Sequence, residues 1–192
     1  ADKINYEDLN RVVDFAVAVQ CSQILRLLAV PQSDRLQFGT TAEGIRWGVG
    51  LLKTHQGKAR GSPALPDQAL ETFATNLVSG LLTQLRSIPI VMRIHTVFAV
   101  ECPALAGQQV EAIALEQKEA LGGLDPGIRT AVPDEIVAGS LLLNTAYALF
   151  CDRLLGTTSY RVPYVAAGFE ELGSALLAIF DELPVDPTAD RA

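Results

Sequence analysis

Apolar residues recur along this chain at helical spacing. After Pro66-Asp67, the positions Leu70, Phe73, Ala74, Leu77, Val78, Leu81, Leu82 and Leu85 follow the three-then-four interval that gathers them on one helix face. Asp67 is suited to cap that helix, because its carboxylate can accept from an amide left unpaired at the start. An earlier segment, Tyr6 to about Ala29, is apolar almost all round: Val12, Val13, Phe15, Val17, Val19, Ile24, Leu25 and Leu28. A helix of that kind is expected to be enclosed by other helices or by a partner chain. Asn5 suits its N-cap, and Pro31 ends it by withdrawing a donor.

The remaining elements follow from caps and breakers. Thr40-Thr41-Ala42-Glu43 has the form of a capping box opening a helix with Ile45, Trp47, Val49, Leu51 and Leu52. Gly44, Gly48 and Gly50 interrupt that helix, each costing up to about 1 kcal/mol against alanine. After Arg86-Ser87 the chain is expected to turn and resume from Pro89 to about Glu101. Pro103 opens a helix that Gly122-Gly123 stops near Leu121. Two long helices close the chain, Pro133 to about Leu155 and roughly Pro163 to Leu183. Loops are expected at 31–39, 56–66 and 123–132, and a disordered tail at 184–192. No alternating strand pattern or solenoid-length repeat occurs. The expectation is an all-α, single-domain bundle of about seven helices over 1–192.

Composition narrows the function classes. The chain has 192 residues, 49% hydrophobic and 19% charged, which is more apolar and less charged than usual. That excess predicts a dimer interface, an apolar pocket, or both. A net charge of -7 opposes broad binding to nucleic acid or anionic membrane. Residues 1–61 carry eight Lys/Arg against six Asp/Glu, and the remainder seven against sixteen. The basic residues Lys53, His55, Lys58 and Arg60 form either a mild patch or an ordinary solvated loop. Cys21, Cys102 and Cys151 lack metal-site spacing and read as buried free thiols in a reducing compartment. The N-terminus lacks the progression of a signal peptide, and charges or amides break the apolar runs before a membrane span. A cytoplasmic protein without membrane contact is expected.

Chemistry-bearing motifs are sparse. His55 and His95 are the only histidines, and no Glu-x-x-His accompanies them, so no metal site is expected. His95, on an apolar helix, is either a core residue with one hydrogen bond or a polar contact for a ligand. Phe73, Met92, Phe98, Tyr147 and Phe150 are core packing or a pocket lining. Asn144 lies in the apolar run Leu141–Phe150 and needs a partner across a dimer interface, from a ligand, or from water. No nucleophile elbow, phosphate loop or dinucleotide fingerprint occurs. Asp134-Glu135 suit a helix N-terminus, and Glu170-Glu171 and Asp181-Glu182 read as solvated. No catalytic residue and no cofactor is expected.

Residues 65–183 resemble the ligand-binding portion of TetR-family transcriptional regulators. The likeness rests on the amphipathic helix Ala69–Leu85 followed by Ile88-Pro89, with Met92, His95 and Phe98. It rests also on the junction Glu101-Cys102-Pro103-Ala104-Leu105, and on the terminal pair Asp134–Gly156 and Tyr160–Leu183. The resemblance implies a small-molecule-sensing homodimer paired through residues about 133–183, with an apolar cavity among the middle helices. Phe73, Met92, His95, Phe98, Asn144 and Tyr147 would line that cavity. Family members begin with a helix-turn-helix that enters the major groove; residues 1–60 here do not read that way, so any DNA contact requires an element outside this pattern. The alternatives are a helical enzyme or carrier for an apolar small molecule, and a dimerisation module without ligand.

Overall fold

A computed structural model describes residues 6–34, 39–58 and 65–183. Among the described residues eight α-helices follow one another: α1 (Tyr6–Ala29), α2 (Ala42–Lys58), α3 (Asp67–Glu101), α4 (Ala106–Ala120), α5 (Pro126–Ala131), α6 (Asp134–Leu155), α7 (Val162–Ala166) and α8 (Glu170–Glu182). Among the described residues there is no strand, and the all-α expectation holds. The expected cap Asn5 and the tail 184–192 lie outside the described residues.

Residue Pro89 does not break the chain as expected: α3 runs unbroken for 35 residues with the proline inside it. An internal proline removes one backbone hydrogen bond and costs about 3 kcal/mol. Beyond it, Met92, Ile94, His95 and Phe98 are buried, and Ile88 just before it is buried too. Each buried apolar side chain of this size contributes roughly 1.5–3 kcal/mol, so carrying the helix on into the core outweighs the lost bond.

One of the interrupting glycines in α2, Gly48, finds its reason in packing. A Cβ on Gly48 would stand 3.0 Å from Val78 Cγ2 and 3.2 Å from Ala74 Cβ of α3, so the small residue sets the distance between the helices. One on Gly44 would meet Thr41 Oγ1 at 3.4 Å and Val78 Cγ1 at 3.6 Å, ordinary contact distances that do not demand a glycine. Leu52, Leu70 and Ala74 are buried in this contact. The cap falls one residue later than expected. Thr41 Oγ1 accepts from Gly44 N at 3.0 Å, whereas the Thr40 hydroxyl pairs with Ser79 Oγ at 2.9 Å. Asp67 likewise is the first residue of α3 rather than its cap, and its carboxylate lies 3.0 Å from Lys53 Nζ.

Helix α1 buries Val12 and Phe15 against Ile94, Phe98 and Ala112. Among the described residues its expected enclosure is only partial. Val13, Val17, Ile24, Leu25 (66% exposed), Leu27 and Leu28 face outward. Cys21 is exposed and Cys102 half-buried, so only Cys151 is the buried thiol the sequence suggested for all three. Val12–Ala29 and α3 are long and apolar enough to cross a membrane by length and composition, although Asp14 and Arg26 in the first had spoken against a span.

The C-terminal half is organised around α6, whose residues from Ile136 to Asp152 are mostly buried. The loop expected at 123–132 contains a short 3-10 turn and α5, with Asp125 Oδ1 accepting from Gly127 N at 2.6 Å. Six residues are too few for a periodic signal. The single closing helix expected from Pro163 is two helices. Gly168, at φ 85°, takes a left-handed conformation that costs glycine little, and Phe169 N donates to Tyr164 O at 3.0 Å to close α7. Helix α8 then returns along α6 at very short range: a Cβ on Gly173 would lie 2.4 Å from Thr145 Cγ2. Gly173→Ala is therefore expected to cost about 2 kcal/mol by overpacking. Adding Thr145→Ser, which deletes the clashing methyl, should recover part of that loss in a urea-melt double-mutant cycle.

Candidate functional site

The buried stripe of α4 carries polar groups. Gln109, Ala112, Ile113 and Gln117 are buried at the spacing of one helix face, and Glu116 stands beside them. This face meets His95 of α3 and Tyr147 of α6. Gln109 Nε2 donates to His95 O at 2.8 Å and lies 3.2 Å from His95 Nδ1. His95 Nε2 is 3.3 Å from the Tyr147 hydroxyl, which donates to the Glu116 carboxylate.

These contacts assign a direction to every proton. The Gln109 amide has only donors to offer at Nδ1, so Nδ1 accepts and the ring proton belongs on Nε2. Nε2–H then donates to the Tyr147 oxygen, leaving the phenolic proton for Glu116. The chain is consistent only with a neutral imidazole. Burial holds His95 in that form, lowering its pKa to about 4. Burial also raises Glu116, with its neighbour Glu119 adding to the rise and the Tyr147 bond opposing it; the rest of that side chain stays in water. Tyr147 is pushed well above the phenol range and Cys151 up to about 12, burial being the main cause in both. Cys151 is thus a thiol and not a nucleophile at neutral pH.

Five of the six residues expected to line a cavity are buried here. Met92, His95 and Phe98 come from α3, and Asn144 and Tyr147 from α6. Their rings pack together: Phe15 lies 5.3 Å from His95 and 5.6 Å from Phe98, edge-on to the latter, and Tyr147 stacks on Phe150 at 6.2 Å. Phe73 stands apart, half-buried beside Leu52, Leu70 and Ala74, in an open cleft of about 560 Å³ with Pro66, Gln68 and Asn76.

A second cleft, of about 170 Å³, opens between the end of α4 and the start of α7. Gln117, Lys118, Leu121, Ser159, Tyr160 and Pro163 line it. Gln117 and Glu116 were not singled out from sequence, although Gln109, Glu116 and Gln117 fall seven and eight residues apart, two helix turns, on the face of Ala112 and Ile113. Polar residues on a buried stripe were the available signal. Of the basic residues of the first third, two have described partners. Lys53 pairs with Asp67, His55 Nε2 contacts Thr130 O at 2.8 Å, and the Lys58 side chain and Arg60 lie outside the described residues. Among the described residues no three His, Cys, Asp or Glu side chains converge as a metal site would need.

What the fold and its clusters define is an all-helical bundle with a hydrogen-bonded polar chain through its core. Compared with family models, curated proteins and solved structures, the chain has no significant match.

Proposed function

We propose that this chain is a homodimeric effector-binding domain of the kind TetR-like regulators carry, sensing a small, largely apolar molecule. The observation that carries this reading is the outer face of α7 and α8. Helix α6 is already enclosed, yet Val162, Val165, Leu172 (60% exposed), Ile179 (56% exposed) and Leu183 remain in water along the neighbouring helices. Leu172, Ile179 and Leu183 repeat at intervals of seven and four, a continuous stripe suited to a second copy packing helix on helix. A ligand acts in such a domain by binding one arrangement of the helices better than another, and a DNA-reading element would be its companion rather than part of the pattern seen here.

A second reading is favoured by the uncovered face of α1: an interaction module that pairs through Val17, Ile24 and Leu28 without a ligand. Native mass spectrometry separates the two. The first reading expects twice the chain mass of 20.5 kDa, together with a retained small molecule. Leu172→Asp with Ile179→Asp should return the chain to monomer, while Val17→Asp with Ile24→Asp should leave the dimer intact. The reverse pattern favours the α1 module, and a wild-type monomer removes both.

A further inference from the structure

Helix α4 sits on the core largely through polar groups. Gln109, Glu116 and Gln117 reach His95 of α3 and Tyr147 and Cys151 of α6 by side-chain hydrogen bonds. Its buried apolar residues are only Ala112 and Ile113. On another side α4 is tied to α1. Gln108 Oε1 accepts from Phe15 N at 3.0 Å, and Gln108 Nε2 donates to Asp14 Oδ2 at 3.3 Å. Ala112 packs with Val12 and Phe15, and Ile94 and Phe98 of α3 join the same cluster. Helices α1 and α4 thus form one layer against α3 and α6.

The bonds at His95 have a single arrangement. Gln109 Nε2 meets two acceptors of that one residue, the backbone O at 2.8 Å and Nδ1 at 3.2 Å. A proton added at Nδ1 sets donor against donor. Turning the amide over brings its oxygen to Nδ1–H but sets it against the His95 carbonyl, so one contact fails either way. The groups around the ring supply no counter-charge within hydrogen-bond reach. Phe15 comes from α1, Gln109 from α4 and Tyr147 from α6. Glu116, with Glu119 near it, is reached only through the Tyr147 hydroxyl, and Asp14 is bonded to Gln108. Burial keeps Cys151 a neutral thiol, and Arg93, two residues back on α3, lies on another side of that helix. An imidazolium is therefore unpaired while the layer is closed and hydrated once it opens. We propose that protonation of His95 opens the α1–α4 layer while α6, α7 and α8 stay packed, an acid-operated switch within the bundle. The ring is the trigger because α3, α4 and α6 meet there in one chain of bonds. The switch concerns the helices themselves and does not rest on the sensing role.

Amide hydrogen exchange on the full chain, resolved by residue at about pH 7 and pH 4, tests the switch. After correction for intrinsic rates, α4 amides should exchange through an opening that leaves α6 and α8 protected. That opening should grow on the order of 100-fold at the lower pH, because burial keeps the ring neutral down to about 4 against the usual 6.5. Nitrogen-15 NMR at neutral pH should show His95 as the Nε2–H form. In His95→Gln the growth should shrink to less than about threefold. In Gln109→Glu a carboxylate accepts from Nδ1–H with the layer closed, so the growth should fall below about tenfold. Equal protection of α4 and α6 at both pH values would overturn the proposal, since the proton would then act only through global unfolding. So would an opening that does not grow in acid, the Nδ1–H form at neutral pH, or wild-type growth in either variant that folds. The wild-type exchange and the NMR signal decide the matter if neither variant folds.

Discussion

Replacing Asp152 by alanine is expected to destabilise the chain by about 4 kcal/mol, read as a shift of the urea midpoint without a change in slope. This carboxylate is 3% exposed and organises the turn between α6 and α7. Its Oδ1 accepts from Thr157 Oγ1 at 2.7 Å and Tyr160 N at 3.1 Å, and its Oδ2 from Arg161 N at 3.0 Å. Arg161 Nε approaches Oδ2 at 4.0 Å. Alanine would leave three donors unmet at once, and the turn carries Tyr160 and positions α7 and α8 on α6. Asp152→Asn keeps one acceptor but turns an amide toward Arg161 N, so roughly half the loss is expected. A destabilisation below about 1 kcal/mol for the alanine variant would mean that water replaces the carboxylate at no great cost.

Stability is expected to fall as the pH drops from about 6.5 to 4, by about 3 kcal/mol in total, because of His95. The folded chain holds its imidazole neutral down to about 4, while the unfolded chain takes up a proton near 6.5. Between those values the unfolded state binds more protons, so acid favours it; above about 6.5 the contribution is fully present. The neighbours explain the reluctance to protonate. A proton would have to be added at Nδ1, which faces the Gln109 amide, and Phe15 and Phe98 line the surroundings. Glu116, beyond Tyr147, acts in the opposite direction: its raised pKa lets the folded state bind a proton earlier, but solvent reaches that residue and limits the offset. Asp181, lowered by its two bonds to Arg153, loses its share only at lower pH. Thermal melts of wild type and His95→Gln across this range should differ in slope. Parallel curves would assign the acid sensitivity to other groups.

Much of the fold was legible because helices announce themselves locally. The run Leu70–Leu85 shows its buried face in its own spacing, and Gly156, at φ 65°, ends α6 where a glycine after Leu-Leu was expected to end it. The site was less legible. His95 and Tyr147 were marked, and the spacing of Gln109 and Glu116 on one face of α4 was a signal, but it does not say which groups they would meet. They lie 14 and 31 residues away from His95 and Tyr147 respectively. A polar residue on a helix can equally face water, and only the packing of α4 on α3 and α6 decides between the two.

What the order of residues alone determined is the helical class, the approximate limits of most helices and the surplus of apolar surface, since each depends on interactions within a few turns of one chain segment. Tertiary packing decided the rest. It carried α3 through Pro89, made Gly48 and Gly173 points of close approach, and left α1 with its apolar face in water. It also turned His95 and Tyr147 into links of one directed hydrogen-bond chain. These outcomes depend on what stands opposite a residue across the core, and that partner is tens of residues distant in sequence.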